Sequence, residues 1–117
     1  MLVIRNPQLR VLARRSLVNS LILHAREVAP EVCAKMSTEQ LRSMVDRCLE
    51  RCEHYGITRE FDIFRYLNLM LVFGLDFDKD QPWAAPPLAF RNPAGRMDLL
   101  MDHALRQVPQ SAGQEHQ

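Results

Sequence analysis

The chain has few of the residues that most often announce a chemistry. Its three cysteines, Cys33, Cys48 and Cys52, are too few and too odd in number for a disulfide framework, so a reducing cytoplasm is the expected compartment. Its four glycines stand apart at positions 56, 74, 95 and 113, which excludes a glycine-rich phosphate loop. The longest apolar run, Leu69 to Leu75, covers about a third of a membrane span. No basic start followed by an apolar stretch marks a signal peptide. No segment alternates apolar and polar residues, which argues against strands. Lysine occurs only at positions 35 and 79, so positive charge is almost all arginine.

What is present is ordinary for a globular domain: 117 residues, 47% apolar and 25% charged. This length suits one domain, expected over residues 1–108, with a polar, flexible tail over 109–117. A net charge of +1 gives no bulk argument for nucleic acid. The charge is unevenly spread, however. Arg5, Arg10, Arg14, Arg15 and Arg26 lie in the first 26 residues, which hold no acid. Three readings follow: a targeting peptide, a nucleic-acid or membrane surface, or a basic face for an acidic partner.

The periodicity predicts four main helices. Asn6-Pro7 reads as an N-cap with proline in the first helical position, opening a helix to about Val28. Its wheel carries one apolar arc of Val11, Leu17, Val18, Leu21, Ile22, Ala25 and Val28. Leu9, Leu12 and Leu23 form a second arc, and Arg15, Asn19 and Arg26 a polar stripe. A helix apolar on two sides is either central or meets a partner. Pro30 then ends it, and a short turn is expected over Glu31 to Lys35. Ser37 and Gln40 form a capping box for a helix from Thr38 to His54. There Leu41, Met44, Val45, Cys48, Leu49 and Cys52 face inward. Arg42, Asp46, Arg47, Glu50, Arg51 and Glu53 face water.

Gly56 suits a left-handed helix stop, and Thr58 the next N-cap. The helix from Arg59 to Phe73 is apolar all round after Tyr66, the pattern of a helix enclosed by others. Gly74 ends it. A loop follows from Leu75 to Pro87, with a short helical turn near Leu88 to Phe90. Asn92-Pro93 caps a last helix, Ala94 to Gln107, with Met97, Leu100, Met101, Ala104 and Leu105 inward.

Candidate chemistry is thin. Asp76-Phe77-Asp78-Lys79-Asp80 opens like a calcium loop, but such a loop needs glycine sixth and glutamate twelfth. Gln81 and Pro87 stand there, which favours a solvated loop with an aspartate capping backbone amides. Cys48 and Cys52 share a helix face, yet no second close pair completes a zinc set, and they read as core. None of His24, His54, His103 and His116 sits in a triad-like motif. His54 suits a helix C-terminus. Asp62 and Arg65, one turn apart, are placed to pair, and with Asn68 to tie their helix to a neighbour. The basic first helix is not followed by a polar recognition helix, which weighs against DNA. No catalytic residue, metal or cofactor is expected.

Several marks recur in order: Ile4-Arg5-x-x-Gln8, Tyr55-Gly56-Ile57-Thr58-x-Glu60 and Leu69-Met70. Phe73-Gly74-x-Asp76-Phe77-Asp78, Pro82-Trp83-Ala84 and Arg96-Met97-Asp98-x-Leu100 follow. The series resembles a family of small helical bacterial proteins encoded beside type VI secretion effectors, spike proteins and adaptor chaperones. The resemblance spans residues 4–105 and departs after Trp83, where Ala84-Ala85-Pro86-Pro87 delays an expected short helix. It implies an all-α bundle and a non-enzymatic cytoplasmic co-chaperone. Such a protein binds an adaptor chaperone, and indirectly the effector and spike, without nucleic acid or membrane. The wheel offers Leu2, Ile4, Leu9, Leu12 and Leu23 as partner contacts, with Arg15 and Arg26 as a rim. An immunity protein that binds a toxin, or a nucleic-acid-binding regulator, are the alternatives.

Overall fold

Helix ends set the architecture. The computed structural model describes the backbone of residues 7–108 and the side chains of residues 11–108. Helices α1 (Pro7–Val28), α2 (Pro30–Ala34), α3 (Thr38–His54) and α4 (Glu60–Phe73) lead to the short α5 (Phe77–Asp80). A 3₁₀ turn (Pro82–Ala84), α6 (Ala85–Leu88) and α7 (Pro93–Gln107) follow. Among the described residues there is no strand, so the fold is all-α, with α1, α3, α4 and α7 as its four main helices. The cap assigned to Asn6, the contacts assigned to Leu2 and Ile4, the side chain of Leu9 and the tail at 109–117 lie outside the described residues.

Local chemistry explains most boundaries. The Ser37 hydroxyl accepts from the Gln40 amide at 3.0 Å, and Gln40 Oε1 accepts from the Ser37 amide at 2.8 Å. Both donors would otherwise be orphaned at the helix start. At the other end of α3, Gly56 takes φ +70°. The Ile57 amide then reaches Cys52 O and the Gly56 amide reaches Glu53 O. That pair of reversed bonds closes the helix. Gly74, at φ +109°, ends α4. The Asn92 side chain caps α7 by accepting from the Ala94 amide at 3.1 Å.

Two boundaries differ from the sequence reading. Thr58 does not cap α4; Arg59 occupies the N-cap without a side-chain cap bond. Its guanidinium instead donates to Asp62 at 2.7 Å, so the first turn is tied by an ion pair. The segment after Gly74 is far more helical than a loop. Proline does not delay the chain after Trp83, because Pro86 and Pro87 fall in the first turn of α6, where no amide proton is needed. The short turn expected at Leu88 to Phe90 therefore sits earlier, at Ala85–Leu88.

Packing follows the wheels at the centre of each helix and departs from them at the edges. Val18, Leu21, Ile22 and Ala25 of α1 join all six predicted inward residues of α3. Ile63, Tyr66, Leu67, Leu69 and Met70 of α4 and Met97, Leu100 and Ala104 of α7 complete the core with Cys33, Ile57, Phe77, Ala84 and Leu88. Each large apolar side chain buried this way contributes about 1.5 to 3 kcal/mol. Val11 and Val28 belong to the same predicted arc but are 58% and 51% exposed. A wheel treats the helix as endless, whereas the bundle covers only the middle of α1. Leu105 of α7, also expected inward, is exposed. Nor is α4 enclosed: Phe61 and Val72 face solvent, because α1, α3 and α7 leave one side of it open.

The Gly56 turn is the tightest test of this design. An added Cβ would meet the Pro93 ring at 3.4 Å in a backbone conformation that disfavours side chains. Gly56→Ala is expected to lower stability by about 1 to 2 kcal/mol in urea unfolding. An unchanged midpoint would contradict that account of the turn.

Candidate interaction surface

The charged residues inside the bundle serve its own packing. The Asp62 side chain is buried and accepts from Arg59 at 2.7 Å and Arg65 at 2.5 Å. Arg65 also donates to Asp98 of α7 at 2.9 Å and lies 4.7 Å over the Phe61 ring. His24 Nε2 of α1 donates to Asn68 Oδ1 of α4 at 2.7 Å. The polar residues of α4 thus tie it to α7 on one side and to α1 on the other.

The aspartate-rich stretch is anchored rather than solvated. Asp78 has a fully buried carboxylate that accepts from Arg51 and, at 2.6 Å, from the Tyr55 hydroxyl. Arg51 also donates to Asp76 at 2.6 Å and to Leu75 O at 3.4 Å. Arg51 therefore does not face water as its wheel position suggested; its side chain is 17% exposed. The Arg51-x-x-x-Tyr55 spacing was the available signal, since it stacks a donor pair on one edge of α3. Asp76 makes no capping bond. With Asp78 committed to Arg51 and Tyr55, the stretch offers no open carboxylate cage. Among the described residues no three His, Cys, Asp or Glu side chains gather as a metal site.

Burial also sets the titration of this region. The Tyr55 phenol is pushed up to about 12 by burial and by its bond to Asp78. Tyr66 is raised further, first by burial and then by Asp78. Its buried hydroxyl has no hydrogen-bond partner among the described residues, while its ring packs 5.0 Å from that of Phe77. The Cys52 thiol is pushed strongly up by its bond with Cys48 and by burial. Cys48 Sγ donates to Ile63 O at 3.8 Å. Both cysteines are free of disulfides and buried in the core.

The outer side of α1 is different. Leu12 is 55% and Leu23 62% exposed, and Arg15 and Arg26 are exposed beside them. Leu12 and Leu23 lie on the side opposite Val18, Leu21, Ile22 and Ala25, about 16 Å apart along the axis. Ser16 and Asn19, both exposed, fill the interval and were not among the expected contacts. Arg14 is drawn back to the bundle by Asp46 at 3.5 Å, whereas Arg15 and Arg26 have no carboxylate partner among the described residues. Structure thus places Leu12, Leu23, Arg15 and Arg26 on one accessible side.

A shallow cleft of about 360 Å³ lies elsewhere, lined by His54, Tyr55, Asp78, Ala85, Leu88, Ala89 and Arg96. Arg96 is held there by bonds to Tyr55 O at 2.5 Å and Phe90 O at 2.6 Å. Among the described residues no helix is long and apolar enough to cross a membrane. No family model, curated protein or solved structure matches the chain.

The tyrosines separate structural roles by experiment. Asp78→Ala removes the buried acceptor that Arg51 and Tyr55 share, leaves Arg51 with Asp76, and is expected to cost about 1 to 3 kcal/mol in urea unfolding. Tyr55→Phe is expected to cost about 1 kcal/mol, while Tyr66→Phe, losing no bond, leaves stability equal or higher. A large loss in Tyr66→Phe would reveal a partner for its hydroxyl.

The pH response follows from the direction of each shift. Asp76 is lowered mainly by its bond from Arg51, and Asp98 by its bond from Arg65. A lowered carboxyl stabilises the fold above its unfolded value, near 3.9. That contribution disappears as pH falls through the lower folded value. The raised Tyr55 stabilises below about 10 and is lost as pH climbs through about 12. Urea midpoints measured against pH should therefore decline at both ends. The acid decline should be shallower in Asp76→Asn, and the phenolate absorbance step near 12 should vanish in Tyr55→Phe.

Proposed function

We propose that this protein is a non-enzymatic, cytoplasmic accessory protein of type VI effector delivery, a co-chaperone that binds an adaptor chaperone. The observation that carries the reading is the outer side of α1, where exposed Leu12 and Leu23 stand beside Arg15 and Arg26. Burying two such leucines against a partner contributes about 1.5 to 3 kcal/mol each, offset in part by the entropy of association.

The ordered motifs that carry the resemblance also fit this division of labour. Gly56, Gly74, Phe77, Asp78, Trp83 and Arg96 close turns or join the interior, and Trp83 packs edge-on to Phe73. They keep a scaffold rather than a reactive centre. The surface left over is a helix side suited to a protein partner.

An affinity pull-down of the tagged protein from its native host, read by mass spectrometry, tests the reading. The expected result is an adaptor chaperone, alone or with an effector. Leu23→Asp and the pair Arg15→Glu with Arg26→Glu should each reduce recovery at least several-fold, with helicity by circular dichroism unchanged. A toxin recovered without an adaptor would replace the reading with immunity. Salt-sensitive DNA binding with no protein partner would replace it with nucleic-acid recognition.

A further inference from the structure

We infer that the outer side of α1 is a seam for one acidic amphipathic helix of the partner, laid lengthwise along it. This rests on the reading of α1 as the partner surface and specifies what covers it. Leu12, Ser16, Asn19 and Leu23 are all exposed, and their spacings are four, three and four residues. Eleven residues over three steps average about 3.7, close to the pitch of the helix itself, so the four side chains stay on one straight stripe along which a second helix can lie. The core-facing residues Val18, Leu21, Ile22 and Ala25 lie on the far side, so the bundle keeps its packing when the stripe is covered.

The centre of the seam is selective. Ser16 is small and admits close approach of a second backbone. Asn19 is polar, and an asparagine in such a stripe fixes register because it needs a matching polar group. The flanking leucines supply the apolar anchors. Arg15 and Arg26 mark one edge, eleven residues apart like the two leucines, and the sequence holds no carboxylate before Glu27.

Charge selects the occupant. A second copy of this chain suits the seam poorly. An antiparallel pair would line up its two arginine edges on the same side. A parallel pair would leave Arg15 far from any carboxylate, since Glu27 is the first acid of the chain. Neither arrangement finds a carboxylate before Glu27 to relieve it. A helix with leucines at the same spacing and glutamates along one flank relieves the arginine edge, and opposite flank charges set pairing choice.

The test uses a fluorescein-labelled three-heptad peptide with leucine at the seam positions, one asparagine where it meets Asn19, and glutamate on the flank that meets Arg15 and Arg26. A counterpart carries lysine in place of glutamate. Fluorescence anisotropy with the full chain should show binding of the glutamate peptide, weakened by added salt, and little binding of the lysine peptide. Leu23→Asp should weaken the glutamate peptide roughly tenfold or more, about 1.4 kcal/mol. Leu23 is largely exposed, so this variant should keep its circular dichroism spectrum. Arg15→Glu with Arg26→Glu should invert the preference between the two peptides. Equal binding of both peptides, or no binding of either, would overturn the seam. So would a dimer in sedimentation that Leu23→Asp dissolves, since the occupant would then be a second copy. These readouts use no adaptor, so a peptide that binds while the pull-down fails removes the functional reading and leaves the seam.

Discussion

The fold depends on the Asp78 carboxylate and the two donors that hold it. A buried carboxylate without partners would be costly, and here Arg51 and Tyr55, one turn apart on α3, reach it from the same edge. Their grip folds the chain after Gly74 back onto the end of α3. That return drives Phe77 fully inside, against Tyr66 and stacked on Trp83, which meets Phe73. The same corner receives α7, through the bond from Arg96 to Tyr55 O and the seat of Pro93 beside Gly56. Two smaller ties, Arg65 to Asp98 and His24 to Asn68, then fix α4 against α7 and α1.

Much of this was legible in the sequence where the determinants are local. The bounds of α1, the Ser37 and Gln40 box, the six inward residues of α3 and the stops at Gly56 and Gly74 depend on neighbours a few positions away. The rest depends on residues far apart. Arg51 looked solvated because its partners Asp76 and Asp78 lie a whole helix later in the chain. Thr58 lost its capping role to an ion pair between Arg59 and Asp62. The prolines at 86 and 87 read as breakers, yet the first turn of a helix accepts them.

The candidate surface shows the same division. The wheel placed Leu12 and Leu23 on a second apolar side, and they are exposed. It could not distinguish an enclosed helix from one with an open side, and so it placed Val11, Val28 and Leu105 inside and described α4 as enclosed. Nor did hydrophobicity draw attention to Ser16 and Asn19, which matter only once their exposure between the two leucines is known. In this account the titratable groups of α3, α4 and α7 hold the scaffold. The outer side of α1 is the surface we propose for a partner.

Hydrogen–deuterium exchange on the purified chain, alone and with the partner that co-purifies with it, tests that account most directly. Added protection concentrated in the amides of α1, with α4 and α7 unchanged, is the predicted result. Protection confined to the cleft around Arg96, or to the open side of α4 around Phe61 and Val72, would contradict it.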